Sequence, residues 1–111
     1  MFKPKFTQYR VKWRGCATIQ GKKLNNVIIC EASKECLAVV FPRAIPIGTP
    51  INMDFMVSYN GKEVMINTET EVAGGKPLPK KKGIKLTLKY TAISADHMHA
   101  LSNALHLVEI N

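Results

Sequence analysis

The chain has 111 residues, of which 46% are hydrophobic, and it carries a formal net charge of +8 at pH 7. This length suits a single domain over 1–111 with one core, and this apolar fraction excludes a disordered chain. No apolar run reaches membrane-spanning length and the first residues lack the apolar core of a signal peptide, so we expect a cytoplasmic protein. The three cysteines form an odd set without metal-ligand spacing, which favours reduced structural thiols over a disulfide or a reactive thiol.

The first part of the chain predicts three strands, of which the first has the clearest pattern. Residues 9–14 alternate between apolar and basic, as expected for a strand with one face turned inward. A turn at 20–23 leads into a second strand at 24–30, and a third strand at 36–41 ends before Pro42. The apolar positions of the first strand are Tyr9, Val11 and Trp13, and the basic positions are Arg10, Lys12 and Arg14.

Three further strands are predicted in the second part of the chain. After a turn at 47–50, a fourth strand covers 51–58, and Asn60-Gly61 is a strong hairpin signal before a fifth strand at 63–72. The glycines and prolines of 74–79 predict a loop, and Gly83 starts a sixth strand. The predicted strands therefore lie between residues 9 and 90.

The hydrophobic period changes near Ser94, which is a natural N-cap for a helix over 94–108 with Asp96 in its first turn. One apolar stripe runs along this helix at helical spacing. Six short strands followed by one amphipathic helix predict a mainly β fold, in which a small antiparallel barrel has the helix packed across it. The stripe consists of Met98, Leu101, Leu105 and Val108.

Basic residues are concentrated in two parts of the chain, including the predicted N-terminal segment 1–8. Seven of them precede the first acid, Glu31, and six lie between Glu71 and Asp96 in a stretch without any acid. Such clustering favours an anionic partner, which could be a nucleotide, a nucleic acid, an anionic lipid or an acidic protein. A solvated surface is the alternative, and it is the preferred interpretation of Lys80-Lys81-Lys82 taken alone.

The sequence predicts neither an enzymatic site nor a metal site. Among the histidines of the predicted helix, His99 and His106 share a face but are separated by roughly 10 Å of helix rise, too far to hold one metal ion. Ser33 lacks the flanking glycines of a nucleophile elbow, and Gly74-Gly75 does not lead into a helix as a phosphate-binding loop would. We therefore expect a protein that is not an enzyme, with no catalytic residue, metal or cofactor.

Two segments carry side chains that suit an anionic ligand. Arg10 and Arg14 are four residues apart, and each guanidinium offers a planar fork of donors to a phosphate or a purine edge. Glu31 and Ser33, which follow the second predicted strand, add an acceptor and a short donor. The order of the two segments makes the pattern informative, because an R-x-x-x-R match alone is common in so basic a chain.

The centre and the end of the chain resemble the PilZ domain family. The resemblance rests on residues 31–39 and 47–55, on 83–86, and on the apolar stripe of the helix that follows. It implies a six-stranded antiparallel barrel that commonly acts as a receptor for the bacterial second messenger cyclic di-GMP. The ligand motifs of the family are R-x-x-x-R in or just before the first strand and D/N-x-S-x-x-G at a strand edge.

Carried onto this sequence, the resemblance implies a ligand site of five residues. Arg10 and Arg14 match the arginine pair, and Ser33 matches the serine of the second motif. Glu31 stands where Asp or Asn is expected, which keeps an acceptor but gives it a longer reach. Cys36 stands where Gly is expected, and its side chain would cost free energy if the backbone there required a positive φ.

Three functions are compatible with these features, and homo-oligomers are compatible with each. The first is a cyclic di-GMP receptor or regulatory adaptor, in which the basic N-terminal segment and the barrel edge hold the nucleotide. The second is a PilZ-type adaptor that no longer binds nucleotide and acts by contact with an unidentified protein partner. The third and least favoured is single-stranded nucleic-acid binding by Phe2, Phe6, Tyr9 and Trp13, which fails if Tyr9 and Trp13 face the core.

Overall fold

The computed structural model describes residues 8–110, apart from the side chains of Lys81, Glu109 and Ile110. Its six strands form a closed antiparallel barrel in the order β1-β2-β3-β6-β5-β4, which confirms the predicted mainly β fold with a C-terminal helix. Residues 1–7 of the predicted basic segment, with Phe2 and Phe6, lie outside the described residues. The elements are β1 Tyr9–Ile19, β2 Lys22–Ala32, β3 Cys36–Phe41, β4 Pro50–Tyr59, β5 Lys62–Pro77, a 3-10 turn Pro79–Lys81, β6 Ile84–Ile93 and α1 Ala95–Ile110.

Tight turns join the first two strands and the fourth and fifth strands. In the β1–β2 turn, Gln20 and Gly21 have φ values of 51° and 80°, so the predicted four-residue turn is two residues long and β2 already begins at Lys22. The turn between β4 and β5 has φ values of 50° at Asn60 and 74° at Gly61, as the Asn-Gly signal predicted. Positive φ at both central residues matches the right-handed twist of the flanking strands.

The prediction of a loop at 74–79 is wrong for its first part. Gly74 and Gly75 lie inside β5, where they pair with Thr87 and Leu86 of β6. The absence of a side chain at Gly75 allows close packing, since a Cβ there would lie 3.0 Å from Cδ2 of Leu86. The chain leaves the sheet only after Pro77, and a short 3-10 turn leads back into β6.

Side chains that point inward from all six strands fill the barrel. Most of them are β-branched or aromatic residues or leucines, and their alternation with exposed residues follows the two-residue period of a strand. Because the interior is packed, a ligand of this barrel must bind to its outer surface. The inward residues with at most 1% exposure include Ile29, Leu37, Val39, Ile51, Met53, Phe55, Ile66, Leu86 and Leu88.

The first strand has the orientation that its alternation predicted. Tyr9, Val11 and Trp13 pack against the core, and the basic residues between them are exposed. The pairing of β1 with β4 stops at Gly15 and Phe55. Just beyond that point, Trp13 stacks on Phe55 with ring centroids 5.7 Å apart.

The C-terminal helix packs its apolar stripe on the barrel, as predicted. Leu101 and Leu105 are 0% and 3% exposed, and Met98 is packed against the core. The helix begins after Ser94, whose Oγ accepts a hydrogen bond of 3.1 Å from the backbone N–H of His97. Unlike His99 and His106, which are exposed, His97 is half-buried. Its Nδ1 lies 3.1 Å from both the backbone nitrogen and the backbone oxygen of Asn67.

Candidate functional site

The turn between β2 and β3 is organised by the hydroxyl of Ser33, one of the predicted ligand residues. Ser33 is 0% exposed. Its Oγ accepts hydrogen bonds from the backbone N–H groups of Glu35 at 3.0 Å and Cys36 at 3.1 Å. Its own backbone N–H donates to the carbonyl of Cys36 at 2.9 Å. The hydroxyl therefore has a structural role, because it satisfies the backbone donors of a tight turn.

Tyr90 on β6 anchors this turn through hydrogen bonds to its backbone. Its hydroxyl donates to the carbonyl oxygen of Ser33 at 2.8 Å, and its backbone N–H donates to the carbonyl of Glu35 at 3.2 Å. Burial raises the pKa of Tyr90 well above its usual value, with a smaller contribution from the nearby Cys36 thiol. A phenol that stays protonated remains a donor, so this link holds the turn in one position.

Cys36 occupies the position at which the family pattern has glycine. It is the first residue of β3 and does not have a positive φ, so the backbone strain considered for this position is absent. Its neighbour Leu37 faces the core, and by strand alternation Cys36 faces outward. It is nevertheless only 1% exposed. Burial raises the pKa of the Cys36 thiol, although hydrogen bonds from Ser33 and Gln8 act in the opposite direction.

Gln8, the residue before β1, covers both Ser33 and Cys36. Its Nε2 lies 3.0 Å from Ser33 Oγ and 3.0 Å from Cys36 Sγ, so one amide group contacts two of the predicted ligand residues. No motif in the sequence pointed to Gln8. Its position immediately before the first strand is the only signal that could have suggested it.

A row of outward-facing residues crosses five strands next to this turn. Arg10 on β1 pairs with Glu31 on β2, and the register continues through β3, β6 and β5. The last three members of the row, on β3, β6 and β5, have small side chains or none, which leaves a trough in the outer surface. Four strand spacings of about 4.8 Å make the row roughly 19 Å long. The full row is Arg10, Glu31, Ala38, Thr87 and Gly74.

The trough is a cavity of about 360 Å³, which we call the outer groove. Apart from four members of the row, its lining includes two lysines that are cross-strand partners, Lys76 and Lys85. Like charges directly opposite each other are unfavourable, and an anion between them relieves the repulsion. The basic stretch that contains Lys85 is visible in the sequence, but the role of Lys85 depends on which face of β6 its side chain occupies. The lining residues are Gln8, Glu31, Cys36, Ala38, Ala73, Gly74, Gly75, Lys76, Lys85 and Thr87.

One ion pair crosses the outer groove. Lys85 Nζ lies 2.7 Å from Glu31 Oε2, and both side chains are about one third exposed. Solvent screens a pair of this kind, so its contribution to stability is about 0–1 kcal/mol. An ammonium group has three donors, and this contact uses one of them. Lys85 therefore retains donors for a second anionic group.

The two arginines of the predicted pair do not border the same cavity. Both lie inside β1 and are exposed, with their Cα atoms roughly 13 Å apart at about 3.3 Å per residue. Arg10 does not line the outer groove but is the strand partner of Glu31, which does, and Arg14 is opposite Ile28 beyond a register shift. Arg14 lines a second, more open depression of about 670 Å³. Of the five predicted residues, Glu31 and Cys36 line the outer groove, Arg10 and Ser33 adjoin them, and Arg14 lies apart.

Metal-ligating clusters and membrane-spanning helices are both absent from the part of the chain that the structure describes. In residues 8–110, no group of three His, Cys, Asp or Glu side chains could hold a metal ion. No described helix is long and apolar enough to cross a membrane. The three cysteines are free thiols.

Comparison with known proteins identifies a structural relative. Neither a protein-family profile nor a curated protein matches this chain. The structure of the Bacillus subtilis inhibitor of motility (MotI/DgrA) matches it with a TM-score of 0.80 over 99% of this chain. The fold is PilZ-like. At 15% sequence identity the likeness concerns the fold alone, and this chain spans about half, 52%, of the length of that chain.

Proposed function

We propose that this chain is a PilZ-type receptor for cyclic di-GMP and that the nucleotide binds in the outer groove. The observation that carries the proposal is the row from Arg10 to Gly74. It joins an arginine and an acidic residue from the two family motifs to a trough with small residues at its floor. The volume of the groove, about 360 Å³, falls within the range of small-molecule sites.

The charged residues that line the groove, together with Arg10 beside it, suit a dianion with two purine bases. Arg10 offers a fork of donors to a phosphate or to a guanine edge. Lys76 and Lys85 supply point charges for phosphate oxygens. The carboxylate of Glu31 accepts from the N–H groups of a guanine edge while one of its oxygens keeps the contact with Lys85.

Arg14 has a different role in this proposal. Because it lines the second depression rather than the outer groove, it acts on the ligand through its charge and not through direct contact. Arg10→Lys should therefore weaken binding by about thirtyfold, or about 2 kcal/mol, because an ammonium cannot reproduce the fork. Arg14→Lys keeps the charge and should leave the affinity unchanged.

Calorimetric titration with cyclic di-GMP tests the location of the site. A Cβ at Gly74 would meet no other atom within 4 Å, so the backbone has room for a side chain here and Gly74→Trp should place its ring in the groove. We expect this variant to lose binding. Ser58→Trp, at an exposed position on β4 outside the groove lining, is the matched control and should bind as the wild type does.

Repair of the two departures from the family motif tests the identity of the ligand. Glu31→Asp combined with Cys36→Gly should tighten binding if the site is an imperfect version of the family's site. No heat with the wild type or with the repaired variant would overturn the proposal. It would favour instead the PilZ-type adaptor that acts by protein contact, for which the fully engaged hydroxyl of Ser33 is the supporting observation.

A further inference from the structure

Among the hydrogen-bond partners of the Ser33 hydroxyl, only Gln8 can be replaced by a ligand while the β2–β3 turn stays folded. A serine hydroxyl has two lone pairs and one hydrogen. Two N–H groups of its own turn approach it at 3.0 and 3.1 Å, and the carbonyl oxygen of Cys36 lies 3.4 Å away in position to accept its hydrogen. These contacts belong to the β2–β3 turn and persist as long as the turn does. The Gln8 amide, at 3.0 Å, is the one partner among these contacts that comes from outside the turn.

The amide nitrogen of Gln8 lies between two acceptor atoms, so a ligand that replaces it should also offer an N–H donor. An amide nitrogen carries two hydrogens, and here one can point to Ser33 Oγ and the other to Cys36 Sγ. With its hydrogen on the Cys36 carbonyl, Ser33 Oγ acts only as an acceptor, and three N–H groups share its two lone pairs. Of these three contacts, only the one with Gln8 can pass to a ligand N–H group without opening the turn. A phosphate or carboxylate oxygen in this place would face the lone pairs of Ser33 Oγ and could gain only the weak S–H donor of Cys36.

We infer that Gln8 is a specificity-determining residue, because its side-chain amide holds the place of a ligand N–H group at Ser33 and Cys36. The inference rests on the proposed function and refines it. A guanine base binds by replacing the Gln8 amide with its own N–H edge, which also sets the orientation of the ligand. The base points towards the β2–β3 turn, and the phosphates point towards Arg10 and Lys85.

Alkylation of Cys36 tests the inference without any ligand. Iodoacetamide is added to the wild type, Gln8→Ala and Gln8→Glu, and peptide mass spectrometry measures the modification of each cysteine. Thiol reactivity follows exposure, so Cys36 should react about tenfold faster in Gln8→Ala. In Gln8→Glu the carboxylate is repelled by the acceptors Ser33 Oγ and Cys36 Sγ and should leave the turn, so the rate should rise there as well, but less because of the added negative charge. Gln8→Glu keeps the size of the side chain but replaces the N–H donor by an acceptor. An unchanged rate at Cys36 in both variants would overturn the inference.

Two controls accompany the alkylation experiment. Cys30, a half-buried thiol that donates to the carbonyl of Ala38 at 3.4 Å, is an internal reference whose rate should not change. Gln20→Glu makes the same chemical change in the exposed β1–β2 turn and should leave Cys36 protected. A rise at Cys30 as large as that at Cys36 would indicate general loosening and would also count against the inference.

The affinity for cyclic di-GMP provides the second measurement. If the ligand competes with Gln8, then Gln8→Ala should bind about fivefold more tightly than the wild type, the equivalent of one net hydrogen bond. Weaker binding by this variant would make Gln8 a direct ligand contact and would overturn the inference. If no variant binds cyclic di-GMP, the proposed function fails, and the alkylation rates still decide whether Gln8 shields Cys36.

Discussion

Trp13 stacks on Phe55 at the point where β1 separates from β4, with an interplanar angle of 13°. The backbone pairing of the two strands covers only Gly15 to Thr18 on β1, so the rings continue the contact where main-chain hydrogen bonds have ended. Aromatic pairs with this spacing are favourable beyond the area they bury. The stack therefore supports the junction that closes the barrel, and Trp13 is not exposed as a stacking platform for single-stranded nucleic acid.

Replacing Trp13 should destabilise the fold. Trp13→Ala removes the stacked ring and leaves a gap beside Phe55, and we expect a loss of about 3 kcal/mol of unfolding free energy. Urea denaturation followed by circular dichroism measures it. Lys12→Ala, at the exposed neighbouring position, should change stability by less than about 0.5 kcal/mol. Equal stability of the two variants would show that the stack contributes nothing.

The close approach of β1 to β4 depends on Gly15. A Cβ at this position would overlap the carbonyl oxygen of Asp54 and would lie 2.8 Å from Cβ of Phe55. Gly15→Ala should therefore cost about 2 kcal/mol or more, because backbone would have to move. Gly74→Ala is the matched control, since a Cβ there meets no atom within 4 Å. Thermal melting of both variants checks the prediction, which fails if Gly15→Ala melts with the wild type.

The apolar stripe of α1 should tolerate no charge. Leu101 is 0% exposed against the barrel, so Leu101→Asp forces an unpaired carboxylate into an apolar contact. We expect a loss of about 3–5 kcal/mol, measured by chemical denaturation. His99→Asp places the same group on the exposed face of the same helix and should be nearly neutral. An unchanged denaturation curve for Leu101→Asp would contradict the observed packing.

Tyr90 should make the fold sensitive to alkali. Burial raises its pKa in the folded protein above the value of about 10 in the unfolded chain, so the folded state binds the phenolic proton more tightly. The resulting stability is fully present below about pH 10 and is lost as the pH rises towards the folded pKa. Tyr90→Phe lacks the ionisable group and should lose less stability between about pH 9 and about pH 11 than the wild type.

A comparison at neutral pH separates the two contributions of Tyr90. There, Tyr90→Phe should be less stable by about 1 kcal/mol, because the hydrogen bond to the Ser33 carbonyl is missing. Unfolding in urea at several pH values gives both quantities. Parallel stability curves for the wild type and Tyr90→Phe across the alkaline range would disprove the role of the buried phenol.

Much of the fold could be predicted from the sequence, because periodicity is a local signal that burial reinforces. The alternation at 9–14 predicts a strand with one inward face, and Asn60-Gly61 predicts a tight hairpin turn. Both features belong to an antiparallel barrel. The loop predicted at 74–79 was wrong at its start, because Gly75 pairs with Leu86 of β6, a strand that the chain reaches only after a further turn. At Gly75 the side chain of Leu86 comes from β6, and no local pattern could reveal it.

The candidate site was less predictable, because it depends on register across strands. Glu31 and Cys36 do line the outer groove, but the floor residues Ala38 and Thr87 belong to no motif. They become neighbours only when β3 pairs with β6 in a particular alignment. Spacing along the chain likewise could not reveal that Arg14 borders a different depression from the groove beside Arg10.

The packed interior of the barrel has an evolutionary consequence. Along each strand, inward residues that fill the core alternate with outward residues that form the surface, and the two sets lie on opposite faces of the sheet. Inner positions such as Leu37 are constrained by volume, whereas exposed outer positions such as Lys12 can change with little effect on folding. A lineage of such barrels can therefore gain, alter or lose a ligand by substitutions on one side of the sheet and still pass on the same architecture.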